Sequence, residues 1–409
     1  MNIGHVSRRQ ILAGTGALIT WAYQTRIAGA VPGRDPRLLV INLRGGLDGV
    51  GAVAPVGDPD YHRLRGEAVL SPDDPARGLP LDGFFVLHPA LPTLGRLYRS
   101  GDALIAHAVS TPYRQRSHFD AQDVLESGLP GVGRSRSGWL NRALGALPRG
   151  DRLGPASGLV VGATVPLLLR GEAEVLSWMP PGYAAAGEDI RGRLADLYRH
   201  TDPELLRVFK AALRLDDLSG ETAAQAAMGR AAPSRPGALD TARMTAAAVG
   251  RLLLDPAGPR VGAMDLSGWD THVDGEPFDA RFVGQLERLD AVLHDLAESL
   301  APVWRQTIVC AVTEFGRTVR LNGSGTDHGV GTVAILAGGA VRGGRVLADW
   351  PGLGASALYE GRDLLPTLDI RSLFKGLLRD HLGVDQERLV DAIFPDSAGV
   401  PPIDDLVRL

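Results

Sequence analysis

The sequence predicts an α/β fold: a three-layer sandwich with a mainly parallel central sheet and helices on both faces. Three observations lead there. Apolar runs of strand length recur along the chain and are nearly continuous, as expected for strands buried on both faces. Segments with helical spacing alternate with them, and that alternation closes into a mainly parallel sheet. The polar, glycine-rich clusters fall mostly where the apolar runs end, which is where such sheets bind ligands.

Taken in order, Ser7-Arg8-Arg9-Gln10-Ile11-Leu12 reads as a twin-arginine motif, followed by an apolar stretch to Tyr23 and small residues at Ala28-Gly29-Ala30. Residues 1–30 are therefore expected to be an export signal rather than part of the fold. The apolar stretch is too short and too diluted by glycine for a span, which needs about 20 residues. Leu38 to Leu43 (LLVINL) is a buried strand that ends in Arg44-Gly45-Gly46-Leu47-Asp48-Gly49. Asp102 to Val109 is a second strand. It leads to Ser117-His118-Phe119-Asp120, where Ser117 is placed to cap a helix. Gly158 to Leu169 reads as two short strand-like pieces split by Pro166. Residues 171–260, with helical spacing in 203–215 and 239–254, read as a mostly helical insertion in a domain covering 31–409. A long helix is expected from about Pro277 to Leu300, then a strand over 307–313, another over 333–337, and a closing helix over 370–383.

The chain carries 43 basic and 47 acidic residues, and removing residues 1–30 takes away three arginines and no acid, leaving a net charge of −7. A net acidic surface without a basic patch argues against a nucleic-acid or anionic-membrane binder. Cys310 is the single cysteine, so no intramolecular disulfide can form, and its place inside an apolar run makes it a core thiol. There is no P-loop, no complete dinucleotide-binding glycine motif and no nucleophile elbow. A protein exported already folded can load a metal before export, which suits a metalloprotein.

Several residues at the strand ends are candidates for chemistry. Asp270 and His272, two apart, point to one side of an extended segment. Asp327 and His328 lie in a glycine-flanked loop, and Asp48 and Glu314 each follow an apolar strand. Carboxylates mixed with imidazoles suit Zn²⁺ or Mn²⁺, whereas all-oxygen sets favour Mg²⁺ or Ca²⁺. Ser117, at the positive end of a helix dipole, is the candidate nucleophile, although position alone favours a serine that only caps the helix. Arg116 and Arg44 have the fork geometry to grip phosphate or sulfate oxygens, and Arg317 either does the same or pairs with Glu314. His62, His88, His107 and His294 read as structural.

The ordered motifs LRGGLDG, SHFDAQD, GWLNRAL, GWDTH, TEFGRT, GTDHG and GGRVLADWPGL resemble those of the bacterial proteins grouped as domain of unknown function 1501, over nearly all of residues 37–395. That family is grouped with the alkaline phosphatase superfamily, so the resemblance implies an alkaline-phosphatase-like fold. It also implies metal-dependent chemistry on phosphate or sulfate esters. Carried over by motif, Asp48 takes the place of the first metal-binding Asp and Ser117 that of the nucleophile. Asp270 and His272 supply an Asp/His set, with Asp274 as an alternative partner. Glu314 stands where an Asp is usual, Phe315 where a second-metal His is usual, and His328 takes the place of the late His.

The expectation is an exported hydrolase of a small-molecule or polysaccharide ester, holding one or two divalent ions. Ser117 would attack, with Asp48 and Glu314 on one metal and Asp270, His272 and His328 on the other. The alternative is a member without catalysis that binds or assembles with another exported protein.

Overall fold

The computed structural model describes residues 34–133, 135–148, 158–162, 164–179, 206, 207, 210, 237–271, 275–323 and 325–408. Residues 1–30, expected to be an export signal, most of the 171–260 segment and His272 with Asp274 lie outside the described residues. Strand β1 (Arg37–Arg44) is paired in parallel with β8 (Val261–Ser267) on one side and β9 (Thr307–Val312) on the other. Beyond β8 come β6 (Gly158–Val161) and β7 (Val175–Trp178), also parallel. Beyond β9 the order continues through β10 (Thr332–Ala337), β5 (Ala103–Ser110) and β11 (Arg345–Leu347), with β12 (Leu368–Asp369) beside β5. Among the described strands only β10 runs against the rest of this sheet, antiparallel to both β5 and β9. A small second sheet joins β2 (Val53–Ala54), β4 (Val86–Leu87) and β3 (Leu79–Pro80).

The three layers follow from the two-residue period of buried strands. In β1, Leu39, Ile41 and Leu43 face one core while Leu38 and Val40 face the other. The first core is covered by α3 (Pro92–Arg99), α6 (Ala238–Leu254) and α7 (Ala280–Ser299). The second is covered by α5 (Trp139–Ala146) and α8 (Ile370–Asp380), together with Leu125 of α4 (His118–Ser127). On α7, Leu286, Leu289, Leu293 and Leu296 are fully buried at helical spacing, each contributing roughly 1.5–3 kcal/mol by burial. The architecture is thus the expected α/β sandwich with a mainly parallel sheet.

Some local expectations need correction. The piece after Pro166 is not a strand: Leu167–Leu169 forms a single 3₁₀ turn, since proline fixes the entry and removes a ladder donor. The described ends of the 171–260 segment belong to the main fold, β7 as an edge strand and α6 packed on α7. Two further helices, α1 (Gly49–Ala52) and α2 (Tyr61–Arg65), follow β1. Cys310 is buried in β9, and burial pushes its thiol up to about 12. No helix among the described residues is long and apolar enough to cross a membrane.

Topology places the site. The carboxyl ends of β1, β5, β8 and β9 lie at one edge of the sheet, and the antiparallel β10 brings its amino end to that same edge. The residues following Arg44, Ser110, Ser267 and Val312, and those preceding Thr332, are therefore neighbours.

Candidate metal centre

His118 opens α4 after β5, Asp270 follows β8, and His328 precedes β10. One ligand atom from each lies within 4.8 Å of the other two. His118 Nε2 is 3.0 Å from His328 Nε2, and the Asp270 oxygens lie 3.4 and 3.2 Å from those same two nitrogens.

The far side of each imidazole is held. His118 Nδ1 is 2.8 Å from Glu314 Oε1, so it carries a proton and donates to the carboxylate. His328 Nδ1 is 3.1 Å from the Arg116 carbonyl oxygen, which only accepts, so it too carries a proton. In the neutral rings both Nε2 atoms are then lone pairs facing each other at 3.0 Å. Two facing lone pairs repel unless a cation or a proton lies between them. A carboxylate behind a ligating histidine is the usual support for such a ligand.

Each partner is placed by its own segment. Glu314 is buried and accepts from Gly45 N at 2.9 Å, Gln122 Nε2 at 3.1 Å and the Thr313 hydroxyl at 2.9 Å. Gly45 has φ +125°, and a Cβ there would stand 2.1 Å from Asp270 N, so only glycine allows β1 and the Asp270 loop to touch. Arg116 takes a left-handed φ of +63°, unusual for a non-glycine residue, and this turn carries its carbonyl to His328.

Electrostatics divides the two imidazoles. The hydrogen bond to Glu314, reinforced by the charges of Glu314 and Asp270, raises the His118 pKa against its partial burial. Burial lowers that of His328, helped by the nearby Arg317 and His118 and opposed by Asp270. Burial works against ionisation of Asp270, but its polar contacts with the His328 and Arg317 side chains and the charges of His118 and Arg317 outweigh it and bring it to about 2. Burial likewise opposes the Glu314 charge and is outweighed by its hydrogen bonds, so Glu314 is lowered.

The other expected site residues are placed as follows. Asp48 caps α1 through Gly51 N and is held by Arg65, at 2.6 Å from Oδ2 and 2.9 Å from Oδ1, so it is not brought into the cluster. Arg317 is buried: its guanidinium donates to the carbonyls of Gly45, Gly46, Trp269 and Thr271 and to Asp270 Oδ1 at 2.9 Å. It therefore fixes the loops and Asp270 instead of facing solvent. The Arg116 guanidinium is engaged by Asp363 and Glu360, and that of Arg44 by Gln122, Glu126 and Asp265. Asp327 is exposed in the loop beside His328, outside the three-residue group. Ser117 is the N-cap residue of α4, yet its side chain makes no capping hydrogen bond and interacts instead with Tyr113. His118 is the residue the sequence reading passed over. Its signal was present: a histidine opening a helix at the end of a buried strand, next to the candidate nucleophile. Phe315 packs its ring 4.7 Å from that of His118 and 5.0 Å from that of His328.

A family described as "Protein of unknown function (DUF1501)" matches residues 89–394. The chain belongs to that family. Its match takes in His118, Asp270, Glu314 and His328 and begins after Asp48. Comparison with curated proteins finds no match. Among solved structures, this DUF1501 chain is similar to the C-terminal periplasmic domain of EcEptC from Escherichia coli, in complex with Zn. The identity is 11%, over 75% of this chain and 74% of that one, with a TM-score of 0.38. It is also similar to the PsFucS1 sulfatase from Pseudoalteromonas sp., at 14% identity over 98% and 75%, TM-score 0.41. A third is the phosphonate monoester hydrolase of Agrobacterium radiobacter, at 11% over 86% and 74%, TM-score 0.39. At these identities and TM-scores the likeness carries nothing about activity.

Proposed function

We propose that this DUF1501 chain is an exported hydrolase of a phosphate or sulfate ester that works with one divalent cation held by His118, Asp270 and His328. The observation that carries the reading is the convergence of two supported imidazole nitrogens and a carboxylate at the carboxyl edge of the sheet. Two nitrogens and an oxygen suit Zn²⁺ or Mn²⁺ better than Mg²⁺ or Ca²⁺. Such an ion, when bound, polarises an ester oxygen and lowers the pKa of an attacking hydroxyl or water.

The protein's own groups supply the rest. Glu314 keeps the proton on His118 Nδ1 and so directs Nε2 inward. Arg317 holds Asp270 in place and keeps it ionised. Ser117 is the proposed nucleophile, because its hydroxyl is not used to cap α4 and the free N–H groups of the helix start are near it. Asp48, engaged by Arg65, leaves the reading with a single ion and not two.

The test is metal content and turnover together. Signal-processed protein should bind one equivalent of Zn²⁺ or Mn²⁺, and Asp270→Ala should lose it. Ser117→Ala should keep the metal and lose at least 10²-fold in turnover of an aryl phosphate or aryl sulfate, within the range covalent and electrostatic groups contribute. Full turnover in Ser117→Ala would remove the nucleophile assignment. No bound metal after reconstitution would favour the second reading, a binding partner of another exported protein. One observation favours that reading: Phe119, beside His118, is 87% exposed.

A further inference from the structure

Next to the centre lies a cavity of about 250 Å³ lined by Arg63, Arg320 and Arg362 together with Leu64, Ala355 and Leu358. It shares a wall with the metal centre. Arg362 Nη2 donates to the His328 carbonyl at 2.7 Å, and the following residue, Asp363, binds Arg116, whose own carbonyl holds His328 Nδ1.

The arginines are placed and in large part unspent. α2 is anchored from below by the buried pair of Arg65 and Asp48, and this turns Arg63 and Leu64 of the same helix to the cavity. Arg63 gives Nε and Nη2 to Asp60, while its Nη1 makes no hydrogen bond among the described residues. The Arg320 side chain is exposed and has no hydrogen bond or ion pair there. Arg362 uses Nη2 on the His328 carbonyl and meets Asp363 only at 3.5 Å. Among the described residues no carboxylate lines the cavity itself. Planar guanidinium forks beside apolar lining residues recognise an anionic group attached to an apolar ring or chain face. Complete small-ligand pockets run to roughly 300–1,000 Å³, so this volume suits one unit of a larger ligand.

We infer that this cavity is a subsite for a second anionic group, placing the substrate among polyanionic oligomers whose successive units bear sulfate, phosphate or carboxylate. The inference rests on the hydrolase reading for the role of the neighbouring centre, but its test does not. Binding of a sulfated dextran tetrasaccharide and of glucose 6-sulfate is measured by calorimetry on the full chain, zinc-loaded and metal-free, at several salt concentrations. Arg63→Ala/Arg320→Ala should weaken oligomer binding at least tenfold and flatten its salt dependence, while glucose 6-sulfate binding changes less than twofold. Three results would overturn the subsite: no oligomer binding by the unaltered chain, equal binding by the variant, or an equal loss for the monosulfate. Absence of metal-dependent turnover would count against the hydrolase reading alone and leave the binding data to judge the cavity.

Discussion

Replacing Asp48 with Asn separates two roles that look identical in a sequence. Arg65 and Asp48 have side chains 0% and 3% exposed, joined by contacts of 2.6 and 2.9 Å. Burial opposes the Arg65 charge, yet the Asp48 carboxylate outweighs it and raises the Arg65 pKa. Asparagine keeps the volume and can still accept from Gly51 N, so the cap survives. The loss is a buried guanidinium left without a counter-charge, which costs about 3–5 kcal/mol. That is a change of roughly a hundred- to several-thousand-fold in the folded-to-unfolded ratio. Urea unfolding at pH 7 measures it, and elemental analysis of the folded variant should find its metal content unchanged. The double variant Asp48→Leu/Arg65→Met removes both charges and should recover most of the loss. If Asp48→Asn instead loses less than about 1 kcal/mol and loses its metal, the structural reading of this pair is wrong and Asp48 is a ligand.

Three further outcomes are expected. Glu314→Gln can no longer hold the proton on His118 Nδ1 as a carboxylate does, and metal affinity measured by chelator competition should drop about 10–100-fold. Gly45→Ala places a methyl 2.1 Å from Asp270 N at φ +125°, and should cost about 2–4 kcal/mol in urea unfolding while weakening metal binding, as strain and overpacking combine. Acid should destabilise the fold through His88, His107 and His381, each lowered by burial to about 4. Their unfolded pKa is higher, so the unfolded chain binds more protons, and stability is present above about pH 6.5 and lost as pH falls toward 4. Between pH 7 and 5 each should contribute a loss of about 2 kcal/mol. Urea midpoints at the two pH values check this, and an unchanged midpoint would count against neutral burial.

Much of the fold was legible because burial on both faces writes itself as apolar runs. LLVINL, DALIAHAV and TIVCAV became β1, β5 and β9 within a residue of the expected bounds. The short strands β2, β3, β4, β11 and β12 carry only two or three residues each, too few for a period to register. The sequence also determined which residues collect at one edge, since Asp270, Glu314, Ser117 and His328 all follow or precede buried strands. Tertiary structure alone decided their partners. Whether a carboxylate after a strand meets a metal, an arginine or an imidazole depends on side-chain direction and on segments far away in the chain. Asp48 turned to Arg65 because α2 brings that guanidinium to within 2.6 Å of it, and Glu314 turned to His118 because the start of α4 brings that imidazole to within 2.8 Å. Arg317 was enclosed because the loops after β1 and β8 present their carbonyls to it, an arrangement only glycine at Gly45 permits. Local pattern encodes burial and position. The pairing of charges is set by which distant surfaces come within about 3 Å of each other, and that is decided only when the chain is folded.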